Sequence, residues 1–169
     1  GSATYEFSNK YEEIASITVK KLVDGISGQM TDSQMNAIRF TISDASGSEV
    51  AQFSYKDMDI TQNGRTKTIV DLVPRAQYTV SETIDASEFL GYEHTATYKV
   101  NAGSVQPGMT GTISSAQHLG DTVEFANHYT SIPRLQVVKS EGAAPAGAIV
   151  RDGQSYPVWR FTLTMTNLN

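Results

Sequence analysis

The feature that most limits how this chain can fold is an internal repeat. Residues 7–21 read FSNKYEEIASITVKK and residues 125–139 read FANHYTSIPRLQVVK, and the two align without a gap at an offset of 118 positions. The matched pairs are Phe7 and Phe125, Asn9 and Asn127, Tyr11 and Tyr129, Ile14 and Ile132, Val19 and Val137, and Lys21 and Lys139. A period of this length is that of a whole domain, far longer than one unit of a solenoid.

The repeat predicts three segments. Residues 1–12 would carry the last strand of a preceding repeat, after a Gly1-Ser2 pair that is typical of an expression-tag remnant. Residues 13–130 would form one complete repeat, and residues 131–169 would be the first strands of the next. Incomplete repeats cannot bury their apolar faces alone, so we expect the outer segments to be disordered, to pair with a neighbour within or between molecules, or to dock on the complete unit.

The composition favours β-structure. The chain has 13 Val and 11 Ile against 7 Leu, together with 18 Thr and 8 Tyr, and β-branched and aromatic residues suit a pleated surface. Short alternating segments between turn signals predict an all-β fold, an antiparallel Ig-like β-sandwich with at most one short helix. The helix is expected after Thr31, since Gln34 has the spacing of a capping box, and Asn63-Gly64 predicts a hairpin.

Several classes of function are disfavoured. A net charge of −5 without a Lys/Arg run argues against nucleic acid and against a basic membrane contact, and no apolar run is long enough to insert into a bilayer. The absence of cysteine excludes disulfides, thiolate zinc sites and a cysteine nucleophile. His94, His118 and His128 are scattered without the spacing of a metal site, so we expect no metal and no cofactor.

Three polar residues fall where the sandwich core requires apolar ones. Lys21, Glu82 and Asn127 are each in phase with the apolar face of their own strand. Burying an unpaired charge costs several kcal/mol, so a base, an acid and an amide on three strands form a complementary set. The alternative is that the alternation is misjudged by one residue and all three are exposed. Lys20 is the rival lysine, but it shares the other face of its strand with Thr18 and Leu22.

Three segments carry a family resemblance. ITVKK at 17–21, YTVSET at 78–83 and VEFANHY at 123–129 resemble the signature segments of Cna B-type domains, and more narrowly those of the isopeptide-containing domains of Gram-positive pilins and cell-wall adhesins. The resemblance implies an amide bond between Lys21 and Asn127, with Glu82 as its catalyst. Asn9 and Lys139 match the reactive positions of adjoining repeats, yet each lacks its partners here, which favours inert surface residues.

The chemistry is consistent with burial. Desolvation would remove the proton from the Lys21 amine and keep Glu82 neutral. Protonated Glu82 would then donate a hydrogen bond to the carboxamide oxygen of Asn127, while the amine attacks the carboxamide carbon and ammonia leaves. This is one intramolecular event, so we expect no turnover enzyme.

The expected function is a structural repeat of an adhesin stalk or pilin at the surface or cell wall of a Gram-positive-type bacterium, with neighbouring repeats as its partners. The alternatives are a module that recognises a host protein or glycan through its loops, and an accessory domain of a secreted carbohydrate-active enzyme. Tandem repetition favours the stalk, because a repeated spacer extends the reach of the molecule.

Overall fold

The computed structural model describes residues 2–10, 13–26, 28–117, 120–133, 135–141, 145–159 and 161–167. The chain divides into two compact units, Gly1–Thr130 and Ser131–Asn169. The first unit contains the strands β1 (Ala15–Asp24), β2 (Ile38–Asp44), β3 (Glu49–Ser54), β4 (Asp59–Thr61), β5 (Gly64–Leu72), β6 (Tyr78–Ile84), β7 (Tyr92–Val100), β8 (Gln106–Pro107), β9 (Thr110–Ile113) and β10 (Asp121–Ser131), with one α-helix, α1 (Asp32–Ala37), and two short 3-10 helices, Tyr55–Asp57 and Ala86–Phe89. The remaining strands are β11 (Leu135–Glu141), β12 (Gly147–Arg151), β13 (Gln154–Val158) and β14 (Phe161–Asn167).

The first unit is a β-sandwich, as the sequence predicts. One sheet has the strand order β4-β5-β1-β10-β7-β8 and the other the order β3-β2-β6-β9. Apolar side chains of both sheets form one buried cluster, in which the Phe40 ring of β2 lies 5.6 Å from the Phe125 ring of β10. Burying a side chain of this size stabilises the fold by roughly 1.5–3 kcal/mol relative to exposure, so this shared core holds the sheets together.

The prediction of an antiparallel sandwich needs one correction. β1 and β10 pair in parallel, with Lys21 beside Phe125 and Val23 beside Asn127, whereas β1 pairs antiparallel with β5. Alternation shows which face of a strand is buried but not the direction in which the strand runs. Because some 100 residues separate β1 from β10, no hairpin forces the antiparallel arrangement on them.

Two local predictions are confirmed. Thr31 caps α1: its hydroxyl accepts from Gln34 N at 3.2 Å, while Gln34 Oε1 accepts from Thr31 N at 3.0 Å. Asn63-Gly64 turns β4 into β5, where Gly64 has a φ of +136° and a Cβ would lie 2.3 Å from the Lys21 carbonyl oxygen. This turn therefore needs glycine, and it lies directly against the strand that carries Lys21.

The outer segments differ from the sandwich. Residues 2–10 form neither strand nor helix and are exposed, so their assignment to the last strand of a preceding repeat stays a prediction. In the second unit β11 pairs antiparallel with β14, and β12 pairs with β13. Several of its apolar side chains are exposed, among them Trp159 at 41% and Leu163 at 66%.

Candidate functional site: a buried lysine, glutamate and asparagine

Lys21 points into the sandwich. The buried face of β1 carries Ala15, Ile17, Val19 and Lys21, and Lys21 is 0% exposed. Lys20, the preceding residue, is on the other face and is exposed. The prediction that chose Lys21 over Lys20 as the inward lysine agrees with this burial. The apolar residues before it draw this face of the strand into the core, and the lysine follows because side chains alternate with a period of two.

Glu82 reaches the same point from the opposite sheet. It follows Tyr78 and Val80 on the buried face of β6 and is 3% exposed. On the neighbouring strand β2, Phe40 is its paired residue. A carboxyl group is thus held in an apolar layer by the same alternation that positions its neighbours.

Asn127 completes the cluster from β10. Phe125, Asn127 and Tyr129 share the buried face of that strand, and Asn127 is 2% exposed. Glu82 Oε1 lies 2.6 Å from Lys21 Nζ and accepts a hydrogen bond of 3.0 Å from Asn127 Nδ2. One carboxylate oxygen therefore joins the amine and the amide, which come from adjacent strands of the facing sheet.

Burial shifts both charged groups of the site toward neutrality. Desolvation lowers the pKa of Lys21 to about 8, although the charge of Glu82 acts in the opposite direction. Desolvation likewise raises the pKa of the Glu82 carboxyl, against the opposing effects of Lys21, of the Asn127 amide and of the more distant His94. Burial therefore disfavours the charged forms of both groups, and transfer of the lysine proton to the carboxyl would leave two neutral groups.

The site also has unused hydrogen-bonding capacity. Among the described residues, four buried side-chain atoms have no hydrogen-bond partner: Lys21 Nζ, Glu82 Oε2, Asn127 Oδ1 and Tyr129 Oη. The Lys21 amine pairs with the charge of Glu82 Oε1 at 2.6 Å, and no further acceptor satisfies it. Buried polar groups are normally paired, and four exceptions in one place indicate a reactive or strained site rather than a structural network.

One detail differs from the sequence-based mechanism. The mechanism has protonated Glu82 donating to the carboxamide oxygen of Asn127, whereas in the structure the carboxamide nitrogen donates to Glu82. Residue spacing predicts which side chains meet but not the rotation of an amide about its last bond. The observed orientation places Glu82 beside Nδ2, the atom that would leave as ammonia. It leaves Oδ1 without a hydrogen-bond partner among the described residues.

The other candidate residues lie apart from this cluster. Asn9 is exposed in the segment without secondary structure, and Lys139 lies in β11 opposite Leu163, with a side chain outside what the structure describes. Their roles in adjoining repeats stay predictions. His118 also lies outside the described residues, while His94 and His128 are exposed. No group of three or more potential metal ligands occurs in the part of the chain that the structure describes.

Tyr129 is a member of the site that the sequence did not single out. Its alternation marks it as a core aromatic, and only the structure shows that its hydroxyl is buried without a hydrogen-bond partner among the described residues, on the same face of β10 as Asn127. The available signal was its spacing: in both copies of the repeat a tyrosine follows the asparagine by two residues.

No protein-family model and no curated protein matches the chain. The structure is similar to an adhesin from Mobiluncus mulieris, described as containing disulfide, isopeptide and ester cross-links, at 18% identity over 69% of this chain and 41% of that one, with a TM-score of 0.47. It is also similar to the major pilin of Streptococcus pyogenes, at 17% identity over 67% and 47% with a TM-score of 0.39, and to a second major pilin of that species, at 16% over 69% and 45% with a TM-score of 0.38.

The chain spans less than half the length of each of these three proteins. They are adhesins and pilins, the classes that the sequence resemblance names. At these identities, and with TM-scores below 0.5, the similarities assign no residue and no function to the present chain. No helix among the residues described here is long and apolar enough to cross a membrane.

Proposed function

We propose that residues 13–130 form a structural unit of a bacterial surface protein, locked by an autocatalytic isopeptide bond between Lys21 and Asn127. The observation that carries this proposal is the shared contact at Glu82 Oε1, 2.6 Å from the lysine nitrogen and 3.0 Å from the asparagine nitrogen, inside a water-poor core. A structural ion pair would need no amide beside it, and a structural amide would have both of its polar ends paired.

The nucleophile is the Lys21 amine. An ammonium has no free electron pair, but a lysine with a pKa of about 8 beside a carboxylate of raised pKa gives up its proton readily to that neighbour. Proton transfer to Glu82 leaves a neutral amine and a neutral carboxyl, the arrangement that a core of low polarity favours. No base from solvent is needed, because the carboxyl is already in contact with the amine.

Bond formation then follows with atoms and protons in balance. Lys21 Nζ attacks Asn127 Cγ, the Nζ–Cγ bond forms, and the carbonyl electrons move onto Oδ1. Glu82 accepts a proton from Nζ and delivers one to Nδ2, with which it already shares a hydrogen bond. When the carbonyl re-forms, the Cγ–Nδ2 bond breaks and ammonia leaves, so that Glu82 is again the neutral carboxyl that the first proton transfer produced. The rate arises from proximity, since folding holds the reactants together in place of a bimolecular encounter.

The bond would join two adjacent, parallel strands near the two ends of the unit. By the chain-entropy model, closing a loop of roughly 100 residues contributes on the order of 4–5 kcal/mol to stability. Unlike a disulfide, an amide is not reduced. Tension carried by a tandem array would pass from β1 to β10 through the bond without loading the strands between them, which suits a stalk or pilus displayed outside the cell.

Intact-protein mass spectrometry tests this function. The wild-type chain is expected to weigh one ammonia less than its sequence, and Glu82→Ala is expected to restore the full mass. Glu124→Ala, which removes a carboxylate from the outer face of β10, serves as the matched control and should leave the bond intact. Fragmentation should recover the peptide of Lys21 joined to that of Asn127. A wild-type chain of full mass would show that the proposal is wrong.

The ligand-binding alternative stays a prediction from the sequence. Exposed aromatic residues at one end of the sandwich would favour it. Over the described part of residues 13–133, the large exposed apolar side chains are aliphatic, including Ile60, Val73, Leu90 and Val105.

A further inference from the structure

Tyr129 has a buried hydroxyl with no evident structural purpose. The residue is 1% exposed, and its hydroxyl has no hydrogen-bond partner among the described residues. Its ring is held by three neighbours: Phe89 stacks on it at 4.8 Å, Tyr92 meets it edge-on at 6.2 Å, and His94 lies at 5.5 Å. Phenylalanine would serve this packing equally well and would bury no unpaired polar group, so the hydroxyl itself requires an explanation.

The hydroxyl belongs to the reactive cluster. Tyr129 follows Asn127 by two residues, so both side chains lie on the buried face of β10. Burial raises the pKa of Tyr129 to about 12; the Asn127 amide opposes this rise as a donor facing the phenol oxygen, and the charge of Glu82 adds to it. The phenol therefore remains protonated at neutral pH and has a free donor close to the amide.

The amide has a complementary vacancy in its hydrogen bonding. Asn127 Nδ2 is engaged with Glu82 Oε1, whereas Oδ1 is buried and has no partner in the described structure. Attack by Lys21 on the amide carbon places negative charge on Oδ1 and moves that oxygen as the carbon becomes tetrahedral. Donors that stabilise such charge are matched to the position of the oxyanion rather than to that of the ground-state carbonyl oxygen. Of the four unpaired atoms, the Tyr129 hydroxyl is the one donor that takes no part in the proton transfers between Lys21, Glu82 and the leaving nitrogen.

We infer that Tyr129 is the oxyanion donor of the isopeptide reaction, its hydroxyl donating to Asn127 Oδ1 as the lysine attacks. The inference rests on the proposed function and adds to it a residue that holds its proton throughout, while Glu82 alone transfers protons. Charge stabilisation and proton transfer are thereby divided between the two sheets, with Tyr129 on β10 and Glu82 on β6.

The experiment compares Tyr129→Phe with wild type in a refolding time course. Chain recovered from insoluble material that has never folded, and shown by its full mass to be unlinked, is diluted into native buffer, quenched in acid at intervals and weighed. We expect Tyr129→Phe to release ammonia roughly 100-fold more slowly than wild type, the loss typical of removing one oxyanion donor. The matched control is Tyr98→Phe, a tyrosine of β7 whose ring packs on Phe125, and it should link within about two-fold of the wild-type rate.

A second measurement separates catalysis from packing. In a Glu82→Ala background no bond forms, so the melting temperature reports the fold alone. There Tyr129→Phe should melt no lower than its parent, because it removes an unpaired buried hydroxyl. A clearly lower melting temperature would assign the slow linking to damaged packing and overturn the inference. Linking of Tyr129→Phe at the wild-type rate would overturn it directly and leave the proposed function intact. A wild-type chain that releases no ammonia would overturn both.

Discussion

The two faces of the six-stranded sheet carry the same kind of ion pair in opposite surroundings. On the inner face Lys21 Nζ lies 2.6 Å from Glu82 Oε1, and both side chains are 0% exposed. On the outer face Lys99 Nζ lies 3.2 Å from Glu124 Oε1, with 35% and 27% of the side chains exposed. Water stabilises the charges of the outer pair, so that pair remains a weak surface contact. The inner pair has no such solvent, so burial disfavours the charged form of each group. In the proposed function, burial is what makes the same two residue types a reactive pair.

The largest expected effect separates two adjacent lysines of β1. Lys21→Ala removes the bond, and because the closed loop contributes on the order of 4–5 kcal/mol, the melting temperature should fall by roughly 15 °C. Lys20→Ala changes an exposed side chain and should stay within about 0.5 kcal/mol of wild type. Calorimetry of both variants, with mass spectrometry to follow the bond, checks this. Equal losses in the two variants would contradict the assignment of Lys21 to the inner face.

The next effect compares two unlinked chains. Glu82→Ala leaves a buried lysine without its carboxylate, whereas Lys21→Met with Glu82→Leu fills the same space with apolar groups. We expect the free energy of unfolding of the double variant to be about 2–4 kcal/mol higher than that of Glu82→Ala, because an uncompensated buried charge costs more than a well-packed apolar pair. Urea titration measures the difference. A double variant no more stable than Glu82→Ala would show that solvent reaches the inner pair.

The rate of linking should depend on pH with a maximum. At low pH, below the raised pKa of Glu82, the carboxyl holds its own proton and Lys21 remains an ammonium, so no amine is free. Above about pH 8 the pair has lost its shared proton, so the amine is free but no acid is left to protonate the leaving nitrogen. Each limb should approach a tenfold fall per pH unit.

The charge of the exposed His94 lowers the pKa of Glu82. It should therefore affect only the pH at which the acidic limb of the profile lies. Mass-resolved refolding at several pH values measures the profile, with Glu82→Ala followed by circular dichroism as the control for folding itself. A rate that rises steadily to pH 10 would exclude Glu82 as the acid.

The smallest effect belongs to the outer pair. Lys99→Ala and Glu124→Ala should each change the free energy of unfolding by no more than about 1 kcal/mol, and the change should shrink as salt is added. In both variants the intact mass should still be one ammonia below the mass of the variant sequence. Denaturant titrations at low and high salt test this, and a change insensitive to salt would mean that the outer contact is structural rather than electrostatic.

Much of the fold could be predicted because alternation determines which residues face inward. The phase of Val19 and Phe125 was enough to place Lys21 and Asn127 in the core, and capping-box spacing identified the helix after Thr31. The parallel pairing of β1 with β10 could not be predicted, because strand direction leaves no trace in a period-two pattern. The short strands β4 and β8 carry too few residues to show a period.

The site was predictable in its membership and less so in its geometry. Charge complementarity identified Lys21, Glu82 and Asn127 as a set. Two features depend on three-dimensional arrangement alone: the amide nitrogen, not its oxygen, faces Glu82, and the Tyr129 hydroxyl has no hydrogen-bond partner in the described part of the chain. A tyrosine among apolar residues indicates packing, and the pattern gives no sign that its hydroxyl is buried without a partner.

The parallel course of β1 and β10 determines how the sandwich would respond to pulling. Parallel neighbours begin at the same pole of a sheet, so the start of β1 and the end of β10 lie at opposite poles. A force applied at these two points loads all the hydrogen bonds between the two strands in shear at the same time. In an antiparallel pair the hydrogen bonds would break one after another. With the amide bond in place, only the few residues between each bonded side chain and the nearby end of its strand can be extended. A fibre of such units would therefore be nearly inextensible.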